Sequence, residues 1–267
     1  MLDRGFQRWV GMLLAAEATA DPLQNQLLCA LSSEDREHLL PNLQPVVFVA
    51  GQVICQPGMR ISWGYFLIDS IISLRYTMES GSTAEMGLIG NDGMLGTSIF
   101  LGGESTCNSA VVAVGGQGLA ISAKLLQEEF SRRPAFRNAL LRYTQALLTQ
   151  VSQNAVCNSL HSIEQRLCRW LLSCQTRTNR TELLITQDLI ARMLGARRES
   201  VTVAAGHLQD LGFIHYCRGR ISILNRSGLE RIVCECYRVV EDERSRLFAR
   251  NPAWPPSRLA EAIEEAS

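Results

Sequence analysis

Lysine is almost missing from this chain: of its 26 basic residues, Lys124 is the single one that is not arginine. Paired carboxylates, a nucleophile elbow and a phosphate loop with its lysine are all absent, which removes the usual footings of an enzyme. No segment approaches the roughly 18 uninterrupted apolar residues that span a bilayer. The start has a basic beginning and a short apolar patch, but Gly11 to Ala16 is too short for a signal-peptide core and Glu17 follows at once. An amphipathic N-terminal helix or a flexible extension is expected there. No C-x-x-C pair occurs among the nine cysteines, whose odd number and apolar surroundings argue against a secreted disulfide framework. Cys234 and Cys236 are one residue apart in a predicted helix, on different faces, a poor arrangement for a shared metal. His38, His161, His207 and His215 show no metal spacing, so no metal site is expected. Buried, inert thiols are the default, with an exposed oxidant-sensing cysteine as the alternative.

Net charge is also lacking, since 26 basic residues balance 26 acids. That alone argues against nucleic acid, but the charge is unevenly placed. Ser162 to Val233 holds eleven arginines against six acids, a local +5, while Met1 to Arg133 holds eight basic residues against thirteen acids, a local −5. A basic patch confined to the C-terminal half is the footprint of phosphate attraction.

That half contains ITQDLIARMLGARRESVTVAAGHLQDLGFIHYCRGRISIL, residues 185–224, the pattern of two short helices, a tight turn and a hairpin. Thr186 can cap a first helix with an apolar face of Leu189, Ile190, Met193 and Leu194, and Gly195 stands where a left-handed residue would end it. Ala191 places a small side chain where crossing helices approach. A second helix starts near Arg197, with Val201, Ala205 and Leu208 buried and Leu211 one turn on. Arg198, Glu199, Thr202 and Gly206 fall on its other face. Arginine can donate twice to the guanine N7/O6 edge, and glutamate can accept from cytosine N4. Phe213 to Tyr216, the turn Cys217-Arg218-Gly219-Arg220 and Ile221 to Leu224 read as a β-hairpin wing whose arginines can meet phosphates.

The first half alternates β-rich runs with Gly, Pro, Asn and Asp. Pro45 to Val49, Val53 to Cys55, Tyr65 to Asp69, Ile71 to Tyr76, Ala84 to Ile89 and Ala110 to Val114 are strand candidates, enough for a sandwich or roll. The glycine-rich run Gly87 to Gly96 marks an effector pocket, a rigid docking surface or plain turns. Pro134 can start a long helix toward His161. Its stripe of Phe136, Leu140, Tyr143, Leu147, Val151 and Asn154 has the spacing of a seam between paired helices, although a monomer could bury it on its own roll. Ser227 and Glu230 form a capping-box signature for a last helix, with Leu229, Ile232, Val233, Cys236, Tyr237 and Val240 as its stripe. It is expected to pack on the winged module or on a partner subunit. Pro252, Pro255 and Pro256 then stop helical order, and the acidic end from Leu259 reads as a mobile or weakly helical tail.

Arg198-Glu199-Ser200-Val201 resembles the start of the recognition helix in the cyclic-AMP receptor protein/FNR (Crp/Fnr) family of bacterial transcription regulators. The resemblance implies an α+β chain: an extension (1–25), a double-stranded β-roll of the cyclic-nucleotide-binding type (26–130), a dimerisation helix (131–161), a winged helix-turn-helix (162–234) and a C-terminal helix and tail (235–267). Turns at Gly51, Gly58 and Gly81 suit such a roll. It further implies a cytoplasmic regulator, acting as a parallel homodimer on a palindromic operator in duplex DNA. RNA polymerase would be a partner if the protein activates, and no membrane is involved. Arg198 and Glu199 would read bases and Thr186 and Gln187 would hold phosphate, with Arg197, Ser200 and Thr202 on the same DNA-binding face and Arg218 and Arg220 meeting phosphates from the wing. The family's next base-reading position, often arginine, falls on Val203. Where the family's cyclic-nucleotide pocket has a glutamate and an arginine, this chain offers Gly96 and Asn108, among Met94, Gly96, Thr97, Ser98, Asn108 and Ser109. A buried phosphate without a cation carries a desolvation cost of several kcal/mol, so cyclic AMP is not expected. The N-terminal cysteines that hold FNR's iron–sulfur cluster are absent, so that cofactor is not expected either. What remains is a roll with an altered or lost effector pocket: a switch for some unidentified small molecule, or a ligand-independent scaffold that binds proteins.

Overall fold

The computed structural model describes residues 21–248. The N-terminal extension up to residue 20, the proline-bearing tail and its acidic end lie outside the described residues.

Two short helices, α1 (Gln26–Cys29) and α2 (Ser33–Leu39), precede eight strands. These are β1 (Gln44–Phe48), β2 (Val53–Cys55), β3 (Trp63–Leu67), β4 (Ile71–Thr77), β5 (Thr83–Ile89), β6 (Met94–Leu95), β7 (Ser109–Val114) and β8 (Gly116–Ser122), with the short helix α3 (Thr97–Phe100) between β6 and β7. They make two four-stranded antiparallel sheets, in the orders β1-β8-β3-β6 and β2-β7-β4-β5. Phe48, Leu67, Ile72, Leu74, Ile89, Leu95 and Val112 close on one another between the sheets. This is the expected β-roll. The six sequence-read strands are all present within a residue or two. The two that were missed, β6 and β8, are a two-residue bridge and a run interrupted by glycine (GQGLAIS), where alternation gives little signal.

The glycine-rich run acts as a docking surface. A Cβ at Gly93 would lie 2.1 Å from the Tyr143 ring, and one at Gly90 would lie 2.5 Å from Arg177 Cβ. Two later helices therefore press onto backbone that has no side chain to keep them away.

After α4 (Ala123–Arg132), the long helix α5 (Pro134–Leu160) begins at the expected proline. Most of its apolar stripe faces the chain's own roll, the alternative to a seam between paired helices. Phe136, Leu140 and Tyr143 are buried in the chain's own core with Phe66, Met94 and Leu126, and Leu147 packs against that core too. The Tyr143 hydroxyl donates to the Met94 carbonyl at 2.8 Å, and the Asn154 amide donates to the Met86 carbonyl at 2.8 Å. Phe136, Leu140, Tyr143 and Asn154 are thus buried on the chain's own roll, while Leu147 and Val151 are half-buried. The opposite side of α5 carries the exposed Leu141, Leu148, Val156 and Leu160.

Helix α6 (Ile163–Thr178), not read from the sequence, opens on a complete capping box between Ser162 and Gln165. Leu167, Trp170, Leu171 and Leu172 are buried among residues 183–229, in a cluster that also takes in Ile71, Leu88, Ala113 and Val114 of the roll. The two halves share one apolar core.

Beyond the winged module come α9 (Arg226–Ile232) and α10 (Cys236–Phe248). Ser227 is not the cap of α9; the Asn225 side chain accepts from Gly228 N at 2.8 Å. The single stripe expected here is broken, because helix stops between Ile232 and Cys236, and α10 returns along α5 of its own chain. Cys234 therefore lies in a bend rather than on a helix.

Candidate nucleic-acid interface

Helix α7 (Gln187–Leu194) is capped by the Thr186 hydroxyl, which accepts from Leu189 N at 3.3 Å. Gly195 ends it with φ +57°, a backbone that L side chains resist. The chain turns immediately into α8 (Arg198–Asp210). Ala191 is buried at their crossing, and Val201, Ala204, Ala205 and Leu208 form the inner face of α8. Leu211 departs from the expected stripe: it follows the last helical residue and is 44% exposed. The Thr202 hydroxyl donates to the Gln187 side-chain oxygen at 2.8 Å, tying the entry of α7 to the outer face of α8. Gln187 N lies 3.3 Å from the Tyr216 hydroxyl, so the wing braces the same corner.

The wing pairs β10 (Ile214–Cys217) with β11 (Arg220–Ile223). Its central turn residues, Arg218 and Gly219, have φ +47° and +77°, as a two-residue hairpin matched to strand twist requires. A third strand absent from the sequence reading, β9 (Glu182–Leu184), pairs with β11. It is only three residues long, too short to show alternation.

Arg197, Arg198, Glu199, Ser200 and Thr202 are all exposed, on the first turns of α8 beside the wing. Val203 is 74% exposed, a β-branched apolar side chain left in water on a helix whose inner face is fully packed. The +5 of the sequence is less evenly available than a count suggests. Arg166, Arg169 and Arg177 are buried, while Arg180, Arg192, Arg220 and Arg226 have carboxylate partners in Asp69, Asp188, Glu182 and Glu230. Arg231 sits over the Phe213 ring. Among the described residues, Arg197, Arg198 and Arg218 have no carboxylate within ion-pair reach. Positive charge is thereby concentrated at the head of α8 and the tip of the wing, where it can approach phosphate and base edges. The Arg220–Glu182 pair, 3.0 Å apart and exposed, would have to exchange its acid for phosphate.

The residues aligned with a cyclic-nucleotide pocket fall in the roll. Met94 is fully buried beneath Tyr143. Gly96 opens α3, and a Cβ there would lie 3.0 Å from Ile99 and 3.2 Å from Gly64. Thr97 belongs to α3, and Ser98 accepts backbone N–H bonds from Gly103 and Glu104. Asn108 accepts from Thr106, and Ser109 donates to the Arg75 carbonyl at 3.3 Å.

Residues 165–232 match the Crp-like helix-turn-helix domain family. A curated relative, the CRP-like cAMP-activated global transcriptional regulator of Mycobacterium tuberculosis, is 27% identical over 187 residues, covering 66% of this chain and 82% of that protein. Over this region the chain is similar to Crp-like regulators. That relative is named as a transcriptional regulator, and the matched domain is a helix-turn-helix. The Global nitrogen regulator of Synechococcus elongatus is 23% identical over 198 residues, 71% of this chain and 89% of that one. The fold is shared with the structure of FixK2 from Bradyrhizobium japonicum, at a TM-score of 0.62 and 14% identity over 72% of this chain and 98% of that one. Among the described residues no helix is long and apolar enough to cross a membrane.

Proposed function

We propose that this regulator acts as a homodimer, presenting two α8 helices to a palindromic operator, with a roll that does not respond to cyclic AMP. The carrying observation is the uncompensated trio Arg197, Arg198 and Arg218 flanking the exposed Glu199, Ser200, Thr202 and Val203. Arg198 would donate to a guanine edge, Glu199 would accept from a cytosine amine, and Val203 would meet a thymine methyl. Arg218, with Thr186, Gln187 and Arg220, would hold phosphates and set the register.

The dimer contact is best placed on the outer side of α5. Leu141 and Leu148 are one heptad apart and are 43% and 62% exposed. Val156 and Leu160 extend the apolar surface toward the DNA module. Two such helices side by side would cover leucines that water otherwise surrounds. The roll's cyclic-nucleotide position offers glycine and asparagine in place of an acid and an arginine, which supports a different effector or none. RNA polymerase is a partner if the protein activates, and the cytoplasm is where such a regulator meets DNA.

Selection of bound sequences from random duplex DNA tests the reading. It should return inverted half-sites with centres about 10–10.5 base pairs, or a multiple, apart. A single half-site, or no enrichment, would contradict it.

A further inference from the structure

Four side chains that no part of the DNA-binding account uses meet at one point: Cys157, His161, Cys234 and Cys236. Their ligand atoms all lie within 4.8 Å of one another. The sequence disguises the set, because Cys157 and His161 close α5 while Cys234 and Cys236 straddle the bend between α9 and α10. The three cysteines are buried and form a cluster of their own, apart from the aliphatic cores. We propose that these residues form a closed tetrahedral zinc site that clamps the end of α5 to the start of α10.

Distances favour a single ion. A tetrahedral zinc with bonds of about 2.3 Å to sulfur and 2.0–2.1 Å to nitrogen places sulfurs about 3.8 Å apart and sulfur and nitrogen about 3.5 Å apart. The Cys157 and Cys234 sulfurs are 3.6 Å apart, and Cys236 Sγ is 3.4 Å from His161 Nδ1. An iron–sulfur cluster distributes its ligands around several irons, which four atoms packed this closely do not allow. Three thiols and an imidazole also leave no open coordination position, the pattern of a structural rather than a catalytic zinc.

The surroundings suit ligands. With Nδ1 facing the cysteines, His161 Nε2 points outward to Glu235 Oε2 at 3.3 Å, the carboxylate–histidine arrangement that fixes the metal-binding tautomer. The Gln153 amide lies 3.2 Å from Cys236 Sγ and can donate to a thiolate. His161 is also the residue at which α5 ends before α6. An ion there would fix the angle between the long helix and the DNA module.

The test uses reduced, full-length protein and two probes, zinc and cobalt(II). One zinc per chain is expected by elemental analysis. Cobalt should bind with the same stoichiometry and show tetrahedral ligand-field bands with thiolate charge transfer. Cys157→Ser and Cys234→Ser should each lower metal content at least tenfold. If these buried changes impair folding, Glu235→Gln at the exposed carboxylate should still weaken zinc affinity by about 10–100-fold. The proposal is overturned by cobalt with an octahedral spectrum, by unchanged affinity in Glu235→Gln together with full metal content in Cys234→Ser, by iron with acid-labile sulfide in place of zinc, or by a Cys157–Cys234 disulfide in protein kept reduced.

Discussion

Arg177 Nε lies 2.9 Å from Asp92 Oδ2, and the arginine is 2% exposed. The pair joins α6, the entry helix of the DNA module, to the glycine-rich end of the roll. Glu241 of α10 is 3.8 Å from the same guanidinium, so roll, DNA module and C-terminal helix meet on one buried charge. Removing Asp92 leaves the buried guanidinium with only the longer contact to Glu241. Asp92→Asn should therefore cost about 3–5 kcal/mol, read as a fall in the urea midpoint. Replacing Arg177 and Asp92 together with apolar residues should cost less than the single change. Equal losses in both variants would mean that the pair is not the joint between the halves.

Glu85 gives that joint a pH dependence. It is buried on β5, and burial pushes its carboxyl from 4.5 up to about 7, against a hydrogen bond from Ser73 and the charges of Arg169 and Arg75. The folded protein thus holds a proton that the unfolded chain releases. Stability from this group is complete below about 4.5, falls as pH rises toward about 7 and is level above that. Glu85→Gln should flatten this slope and leave the protein more stable than the parent at pH 8, by up to roughly 3 kcal/mol. Denaturation across pH checks it, and a slope unchanged in the variant would assign the dependence elsewhere.

The two sides of α5 should respond in opposite ways. Leu148→Glu puts a charge on the outer, 62% exposed position and should give a folded monomer at micromolar concentration. Leu147→Glu puts the charge against the roll's core and should unfold or strongly destabilise the chain. Sedimentation and circular dichroism separate these outcomes. A dimeric Leu148→Glu variant would remove the outer face from the interface.

Much of this architecture is legible in the sequence where local chemistry and burial agree. Thr186, Gly195 and the Arg218-Gly219 turn signal their conformations by residue type, and Pro134 announces α5. The stripe Phe136, Leu140, Tyr143 shows that one face is buried but cannot say against what, since a roll and a partner helix both want apolar residues at that spacing. Buried arginines mislead in the same way: Arg166, Arg169 and Arg177 look like part of a basic patch until their surroundings are known. Cys157 and Cys234 are 77 residues apart. Nothing local links them, because their meeting depends on α10 folding back along α5.

Cyclic AMP should bind weakly if at all, because Gly96 and Asn108 provide neither an acid for the ribose nor a cation for the phosphate. Calorimetry should give a dissociation constant above about 10 µM, or binding weaker than roughly −6.8 kcal/mol. Tighter binding would show that another cation takes the phosphate.

The head of α8 should read bases while the wing tip holds phosphate, and Arg198 distinguishes the two roles. Affinities of the parent, Arg198→Ala and Arg218→Ala should be measured on the selected operator and on random duplex over a salt series. Arg198→Ala should cost about 1–3 kcal/mol on the operator, much less on random DNA, and relax preference at one position of each half-site. Arg218→Ala should weaken both DNAs alike and flatten the salt slope by about one unit for each lost contact. Equal losses on operator and random duplex for Arg198→Ala, with base preference unchanged, would contradict the account and make Arg198 a phosphate clamp.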